Sequence, residues 1–192
     1  MDLFLAISQG IGTSLAAGVR ALLVPLFVGA MARADAAVDF EHTGFEFLES
    51  IWWLALLLAL VVAAFALDRS DVDVPDGLWA VVAMGLGGLL FAGVLEDEDY
   101  FGTTGLVPGM VCALLGFLAA RAFLGGAADR LAARGESGGT IRTLGDFGAI
   151  VIAALALLVP PISYVAVAFC LYVLAARRRR AGEKYEGLRI LR

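Results

Sequence analysis

The chain has 192 residues, 61% of them hydrophobic and 17% charged, with a formal net charge of −5 and a mean hydropathy of +0.89. A soluble domain is nearer half apolar and a quarter charged, so this composition argues against an ordinary soluble domain. The charges lie in short islands between apolar runs, which is typical of an integral membrane protein whose charged residues stay in water.

The first apolar run extends from Leu3 to Ala32, which is too long for one straight span. It contains Gly12, Gly18 and Pro25, which we take as structural or hinge candidates. A proline inside a helix removes a hydrogen bond and clashes with the preceding turn, so we predict a kinked or broken first helix. A polar linker rich in acids follows from Arg33 to Phe47.

Two further runs precede the middle of the chain. They are Ser50–Leu67, which has Trp52 and Trp53 near its start, and Gly77–Leu95. Aromatic rings favour the headgroup level of a bilayer, so this tryptophan pair indicates a helix end at the interface. The islands Asp68–Asp76 and Glu96–Asp99 end the two runs.

The second half has a run from Thr104 to Ala128, a polar loop, and a final apolar stretch from Phe147 to Ala176. Pro160 and Pro161 interrupt that stretch, and two adjacent prolines cost a helix interior several kcal/mol. We therefore predict two helices joined by a tight turn. Four arginines, Arg177–Arg180, close the last run.

Charge bias gives a topology. Arginine-rich segments stay in the cytoplasm, so the Arg177–Arg180 block fixes the C-terminal end inside, and it offers a contact for anionic lipid. We predict an all-α integral membrane protein with six transmembrane helices and both termini cytoplasmic. Residues 1–180 form one transmembrane domain and residues 181–192 a cytoplasmic tail. Five spans would place either the arginine block or the N-terminal end on the other side.

A weak internal similarity accompanies the count of six. The segment Phe27–Arg33 resembles Phe123–Asp129, and a polar loop and a new apolar run follow each. Two halves of three spans, about residues 1–95 and 104–180, would form a 3+3 inverted repeat, an arrangement that recurs in transporters. The other interpretation is chance similarity between glycine- and alanine-rich helices.

Arg20 and Arg121 are basic residues inside apolar runs. A charge within the bilayer is costly and normally faces protein or water with a partner. One interpretation of Arg20 is an anion-coordinating or gating residue. The others are a structural arginine that binds the free carbonyls of a broken helix, or an arginine at a membrane interface because the first run is two pieces. Arg121 lies about two turns before Asp129, where its long side chain can reach the headgroups.

Glu49 and Asp146 occupy matching places in the two halves, each directly before an apolar run. A carboxylate near a helix N-terminus caps free N–H groups, which is one interpretation. The other pairs these acids with Arg20 and Arg121 across the repeat interface, and we name all four as substrate-binding candidates.

Several short motifs resemble one known family. They are Gly18-Val19-Arg20-Ala21 followed by Pro25, Asp68-Arg69 followed by Pro75-Asp76-Gly77-Leu78-Trp79, and Leu144-Gly145-Asp146. Together they resemble a widespread prokaryotic membrane-protein family catalogued as domain of unknown function 4126. The family's second-half acid is usually glutamate, and Asp146 departs from that pattern. The resemblance implies a multi-span protein of a prokaryotic cytoplasmic membrane. It does not point to any particular activity.

We expect a transporter, channel or flippase for an anionic solute or a phosphate-bearing lipid. The alternative is a non-transporting scaffold or accessory subunit of a larger membrane complex. We do not expect an enzyme, because His42 is the only histidine and no paired-aspartate motif of phospholipid synthases is present. Nor do we expect a metal or another cofactor, since cysteine pairs at metal-ligand spacing are absent. Expected partners are membrane lipids, with a homo-oligomer or other membrane subunits left open, and no nucleic acid.

Overall fold

A computed structural model describes residues 3–69, 75–132 and 139–189, and within these ranges all regular structure is helical. The all-α class is therefore confirmed for the described residues. The seven α-helices are α1 (Leu3–Val19), α2 (Leu23–Arg33), α3 (Ile51–Arg69), α4 (Asp76–Asp97), α5 (Leu106–Ala132), α6 (Gly139–Leu158) and α7 (Ile162–Arg189). Short 3₁₀ helices, Glu46–Glu49 and Gly102–Gly105, precede α3 and α5.

The first apolar run is broken between α1 and α2, as predicted. Pro25 is the third residue of α2, where its missing N–H is among those that have no intrahelical partner anyway. In a continuous helix its ring would collide with the carbonyl of Ala21, four residues earlier. The break therefore falls one turn before the proline.

The chain also reverses direction at this break. The Gln9 side-chain amide of α1 donates a hydrogen bond to the Ala37 carbonyl, just beyond α2, at 3.1 Å. A continuous helix would separate these residues by about 40 Å. The first run is thus a helical hairpin that starts and finishes at one end of the bundle, and Arg20 lies at its tip.

Contacts with α1 fix the direction of the other helices. Ser14 of α1 donates to the carbonyl of Gly87 in α4 at 2.7 Å, and Ala6 packs against Phe91 and Leu95, so α4 runs antiparallel to α1. Glycines allow α5 to pack closely against both helices. A Cβ on Gly109 of α5 would lie only 2.7 Å from the carbonyl oxygen of Gly87 in α4.

The last two helices form the hairpin that the double proline predicts. α6 ends at Leu158 and α7 begins at Ile162, with Pro160 and Pro161 in the turn between them. Phe4 stacks on Tyr164 with ring centroids 5.3 Å apart, which places this turn beside the start of α1.

α7 then runs in the same direction as α1, because Leu15 and Cys170 share one apolar cluster farther along both helices. The end of α7, with Arg177–Arg179, therefore lies at the opposite end of the bundle from Leu3. We call these the arginine end and the acidic end. The acidic end holds the start of α1, the 34–50 linker and the Glu96–Asp99 run.

Two segments, Asp76–Asp97 and Gly102–Leu124, are long and apolar enough to cross a membrane. The other apolar helical segments among the described residues are shorter, namely Leu3–Val19, Leu23–Arg33, Ile51–Leu67 and Gly145–Leu158. Six spanning helices are thus not confirmed. The single span expected for the first run is instead a hairpin whose two arms are 17 and 11 residues long.

Large apolar side chains cover the outside of the bundle. α3 packs mainly against α2 and the 3₁₀ helix before it, and most of its other surface is exposed. Exposed side chains include Trp52, Leu56, Leu58, Val62 and Phe65 on α3, Val107, Val111 and Phe123 on α5, and Val165, Phe169, Leu171 and Tyr172 on α7. Soluble monomers rarely expose large contiguous apolar patches, and so many exposed apolar side chains are typical of a protein whose helices contact lipid or another protein.

Candidate functional site

The tip of the α1–α2 hairpin carries an ion pair. Arg20 follows the last residue of α1, and its Nε contacts Oδ1 of Asp146 in α6. The two side chains are 31% and 22% exposed, so the pair is half-buried. Gly145 lies beside the pair, and a Cβ there would be 3.6 Å from Nη2 of Arg20, an ordinary contact distance.

The tip keeps some of its backbone hydrogen bonds. The Arg20 N–H donates to Ala16 at 3.1 Å, and the Arg20 carbonyl accepts from Val24 at 3.3 Å. The backbone of Arg20 therefore links the two helices, while its side chain forms the ion pair with Asp146. The structure brings Arg20 and Asp146 together, while their role as substrate ligands stays a prediction.

Arg121 also lies toward the arginine end of the bundle, apart from the Arg20–Asp146 pair. It pairs with Asp76, the first residue of α4, and its guanidinium lies 5.1 Å from the centroid of the Phe117 ring. The Arg121 side chain is 44% exposed, and its partner is more exposed still. Arg121 therefore contacts neither Glu49 nor Asp146. A carboxylate suits the start of α4, since helix N-termini favour acidic residues, but this preference does not by itself point to Arg121.

Glu49 lies toward the acidic end, away from the two arginines. It is 8% exposed, and its Oε2 accepts the N–H of Phe40 at 3.3 Å. Burial raises the pKa of this carboxyl above its usual value, although the Phe40 N–H partly offsets the shift. The negative charges of Asp39, Glu41 and Glu46 raise it further.

The capping interpretation holds at neither acid. The first turn of α3 is capped by Ser50, whose hydroxyl accepts the Trp53 N–H at 3.3 Å. Asp146 lies well inside α6, which begins at Gly139. The matching positions of Glu49 and Asp146 in the sequence thus do not correspond to matching environments.

Gly12 lies where α1, α6 and α7 meet. A Cβ at this position would overlap the Ser163 hydroxyl and the Ala156 methyl. Ser163 is buried without a hydrogen-bond partner for its hydroxyl, and so is Ser8, one turn before Gly12 on α1. Gly12 is therefore a packing residue, and α1 continues through this position without interruption.

Charge is divided between the two ends. Among the described side chains, the acidic end carries Asp35, Asp39, Glu41, Glu46, Glu49, Glu96, Asp97, Glu98 and Asp99, and Arg33 as its one arginine. Arg20, Arg121 and Arg177–Arg179 all lie toward the arginine end. Within the described part of the chain, no three His, Cys, Asp or Glu side chains could together hold a metal ion.

These features define a helical protein with two segments able to cross a membrane and a half-buried arginine–aspartate pair at the tip of a hairpin. Residues 7–180 match the family model for a domain of unknown function, DUF4126. The match covers most of the chain, which therefore belongs to this family. No curated protein and no solved structure matches the chain.

Proposed function

We propose that this protein is an integral membrane protein in which α3 to α7 cross the bilayer and the α1–α2 hairpin enters it and returns. α3 has 19 residues, within the range of about 17–25 that a span needs. The apolar part of α6, Gly145–Leu158, is shorter, and this helix reaches 20 residues only with the more polar residues 139–144 at the arginine end. The positive-inside rule then places the arginine end in the cytoplasm and the acidic end outside. This topology has five spans, and it puts the N-terminal end outside.

We further propose that the protein moves an anionic solute or a phosphate-bearing lipid across the membrane. The observation that carries this proposal is the Arg20–Asp146 pair at the hairpin tip. Irregular backbone at membrane depth is tolerated only where protein buries it or where it lines a water-filled cavity. Transporters use such interrupted helices to hold charged substrates.

The pair supplies a simple mechanism. An anionic group that reaches the tip competes with the Asp146 carboxylate for the Arg20 guanidinium, whose planar fork suits carboxylate and phosphate. In the resting protein, Asp146 balances the arginine charge and limits the cost of holding it within the bundle. Exchange of one anion for the other would free α6 from the tip and let the hairpin move.

The test is flux through liposomes that contain the purified protein, with inorganic phosphate and a fluorescent phospholipid as separate probes. We expect Arg20→Gln to lower the flux of the transported probe by about tenfold or more, because the guanidinium is the anion ligand. Asp146→Asn, which removes the competing carboxylate, should change the flux as well. Arg33→Gln is the matched control, since Arg33 is exposed at the other end.

Each probe has its own informative result. Loss of phosphate flux alone would identify a free anion, and loss of lipid movement alone would identify a headgroup. Flux of both probes that is equal in the wild type and in Arg20→Gln would reject transport through this site.

A second candidate is an accessory subunit of a membrane complex, and the poorly covered helix α3 favours it. Its apolar surface, from Trp52 to Phe65, would then contact another subunit or a second copy of this chain instead of lipid. A stoichiometric partner that survives purification in detergent, together with absent flux, would support this candidate over transport.

A further inference from the structure

The α1–α2 hairpin stops before the helices that flank it. α2 packs against both α3 and α6. Val28 of α2 shares one apolar cluster with Ala153 of α6, and the same register brings Arg20 beside Asp146. Because α6 begins at Gly139, it extends about 10 Å past the hairpin tip toward the arginine end.

α3 also extends past the tip. Leu54 of α3 lies beside Gly29 of α2, with its Cδ2 at 2.8 Å from the Cβ position of the glycine. Since α2 ends and α3 begins at the acidic end, the two helices are antiparallel, and α3 reaches the level of Arg20 near Ala64. It continues for about 8 Å more, to Arg69. We call the space beyond the tip, which borders Arg20 and Ala64 and lies between α3 and α6, the tip slot.

The tip slot is open. On the side of α3 that faces the bundle, exposure rises from Leu57 at 1% through Val61 at 9% to Ala64, which is partly exposed. Residues 19–23 at the hairpin tip are all partly exposed as well, whereas the preceding turns of α1 are buried. The burial that α2 gives to α3 therefore ends where α2 ends.

The tip slot combines a positive end with an apolar wall. The Arg20 side chain lies at the tip and is 31% exposed beside Asp146. Among the described residues, no side chain caps the start of α2, so the positive end of its dipole also points into the slot. α3 is apolar from Ile51 to Leu67, and Phe65 is exposed near the tip. A ligand that suits both parts has an anionic head and an apolar chain.

The depth of the slot favours a lipid over a free ion. The tip lies about 8 to 10 Å inside the ends of α3 and α6, a depth from which an arginine side chain extends toward headgroups. A hydrated ion would have to pass the apolar wall of α3, whereas a lipid of the same leaflet needs only to move sideways. The exposed Arg177–Arg179 at this end attract anionic lipid to that leaflet.

We propose that the tip slot binds the headgroup of an anionic phospholipid from the leaflet at the arginine end. The lipid enters sideways between α3 and α6, its phosphate replaces Asp146 on the Arg20 guanidinium, and its acyl chains stay against the exposed surface of α3. This inference rests on the membrane arrangement proposed above and names the substrate class of the same site. Binding itself does not require that the lipid be moved across the membrane.

The experiment is native mass spectrometry of the full-length protein in detergent, with equal amounts of phosphatidylglycerol and phosphatidylcholine that have the same acyl chains. Both lipids carry a phosphate, but the choline group neutralises the second. We expect the protein to retain about fivefold or more phosphatidylglycerol than phosphatidylcholine, since hydrogen bonds between charged groups are the stronger ones.

Changes at the tip test the role of the guanidinium. Arg20→Gln should lower phosphatidylglycerol retention to the level of phosphatidylcholine. The double variant Arg20→Gln, Asp146→Asn leaves no unpaired carboxylate, so it should show the same loss even if the single variant folds poorly. Asp146→Asn alone should raise retention, because it removes the competing carboxylate. Arg33→Gln, an exposed arginine at the other end, is the matched control and should behave as the wild type.

A change in the wall tests the slot itself. Ala64→Glu places a negative charge beside the bound headgroup and should lower phosphatidylglycerol retention by about fivefold, with phosphatidylcholine unchanged. Ala64→Gln has nearly the same size without the charge and should retain the lipid. Both variants keep Arg177–Arg179, so a difference between them locates the lipid at the tip slot.

Several results would overturn the inference. Equal retention of the two lipids by the wild type would contradict it, as would a preference that survives both Arg20→Gln and Ala64→Glu. Displacement of the lipid by water-soluble glycerol phosphate would identify a site for free anions, which contradicts a lipid site but leaves transport through Arg20 standing. Specific lipid retention without flux in liposomes would instead reject transport and support the lipid site.

Discussion

We expect a reporter at the first residues of α1 to lie on the same face of the membrane as the 34–50 linker, and on the face opposite Arg177–Arg179. The reason is the reversal at Arg20, because the Gln9–Ala37 hydrogen bond ties both arms of the hairpin to one end. A first run that crossed the bilayer once would place its beginning and the linker on opposite faces. The outcome is therefore all-or-none.

Single cysteines in a background with Cys112→Ala and Cys170→Ala measure this sidedness. Leu3→Cys, Glu41→Cys and Arg178→Cys all replace exposed residues. We expect a membrane-impermeant maleimide to label the first two variants in intact cells, and the third only after permeabilisation. Labelling of Leu3→Cys together with Arg178→Cys would restore the six-span topology with both termini cytoplasmic.

Local chemistry predicted the helix boundaries that depend on proline. Pro25 broke the first run and Pro160-Pro161 separated α6 from α7, because a proline's effect is confined to the preceding turn. The reversal of α2 was not predicted. It depends on Gln9 and on Phe40, which contact residues far away in the chain, and hydropathy carries no information about such contacts.

The candidate site was predictable to a similar degree. An arginine inside an apolar run needs a partner, so a carboxylate near Arg20 was foreseeable, and Asp146 was among the two acids considered. The ion pair between Arg121 and Asp76 could not be predicted from the sequence. It depends on the antiparallel packing of α4 and α5, which brings residues 45 positions apart together.

The position of the 34–50 linker was not predicted from the sequence either. An acid-rich linker is typical of a solvated loop, and most of its carboxylates are indeed exposed. Yet the linker contributes Val38, Phe40 and Leu48 to the core, which indicates that its few apolar residues decide its position. The acids then act as acceptors for backbone N–H groups that would otherwise lack partners at the end of the bundle.

Gly18→Ala should be among the most destabilising single changes in this chain. Gly18 of α1 lies directly on the backbone of α5. A Cβ there would overlap the carbonyl oxygen of Ala113 and lie 2.8 Å from the backbone nitrogen of Phe117. Backbone atoms inside a helix cannot move aside as a side chain can, so the two helices must separate. We expect a loss of about 3 kcal/mol in the free energy of unfolding, the upper part of the usual range for overpacking.

Gly85→Ala is the matched control, because it makes the same chemical change inside α4. Nothing lies within 4 Å of a Cβ at Gly85. Alanine is a better helix former than glycine by about 1 kcal/mol, so this variant should be as stable as the wild type or more so. Unfolding by denaturing detergent in mixed micelles measures both changes. Equal stability of the two variants would mean that α1 and α5 do not pack through Gly18, and the hairpin that holds Arg20 would then have lost its main support.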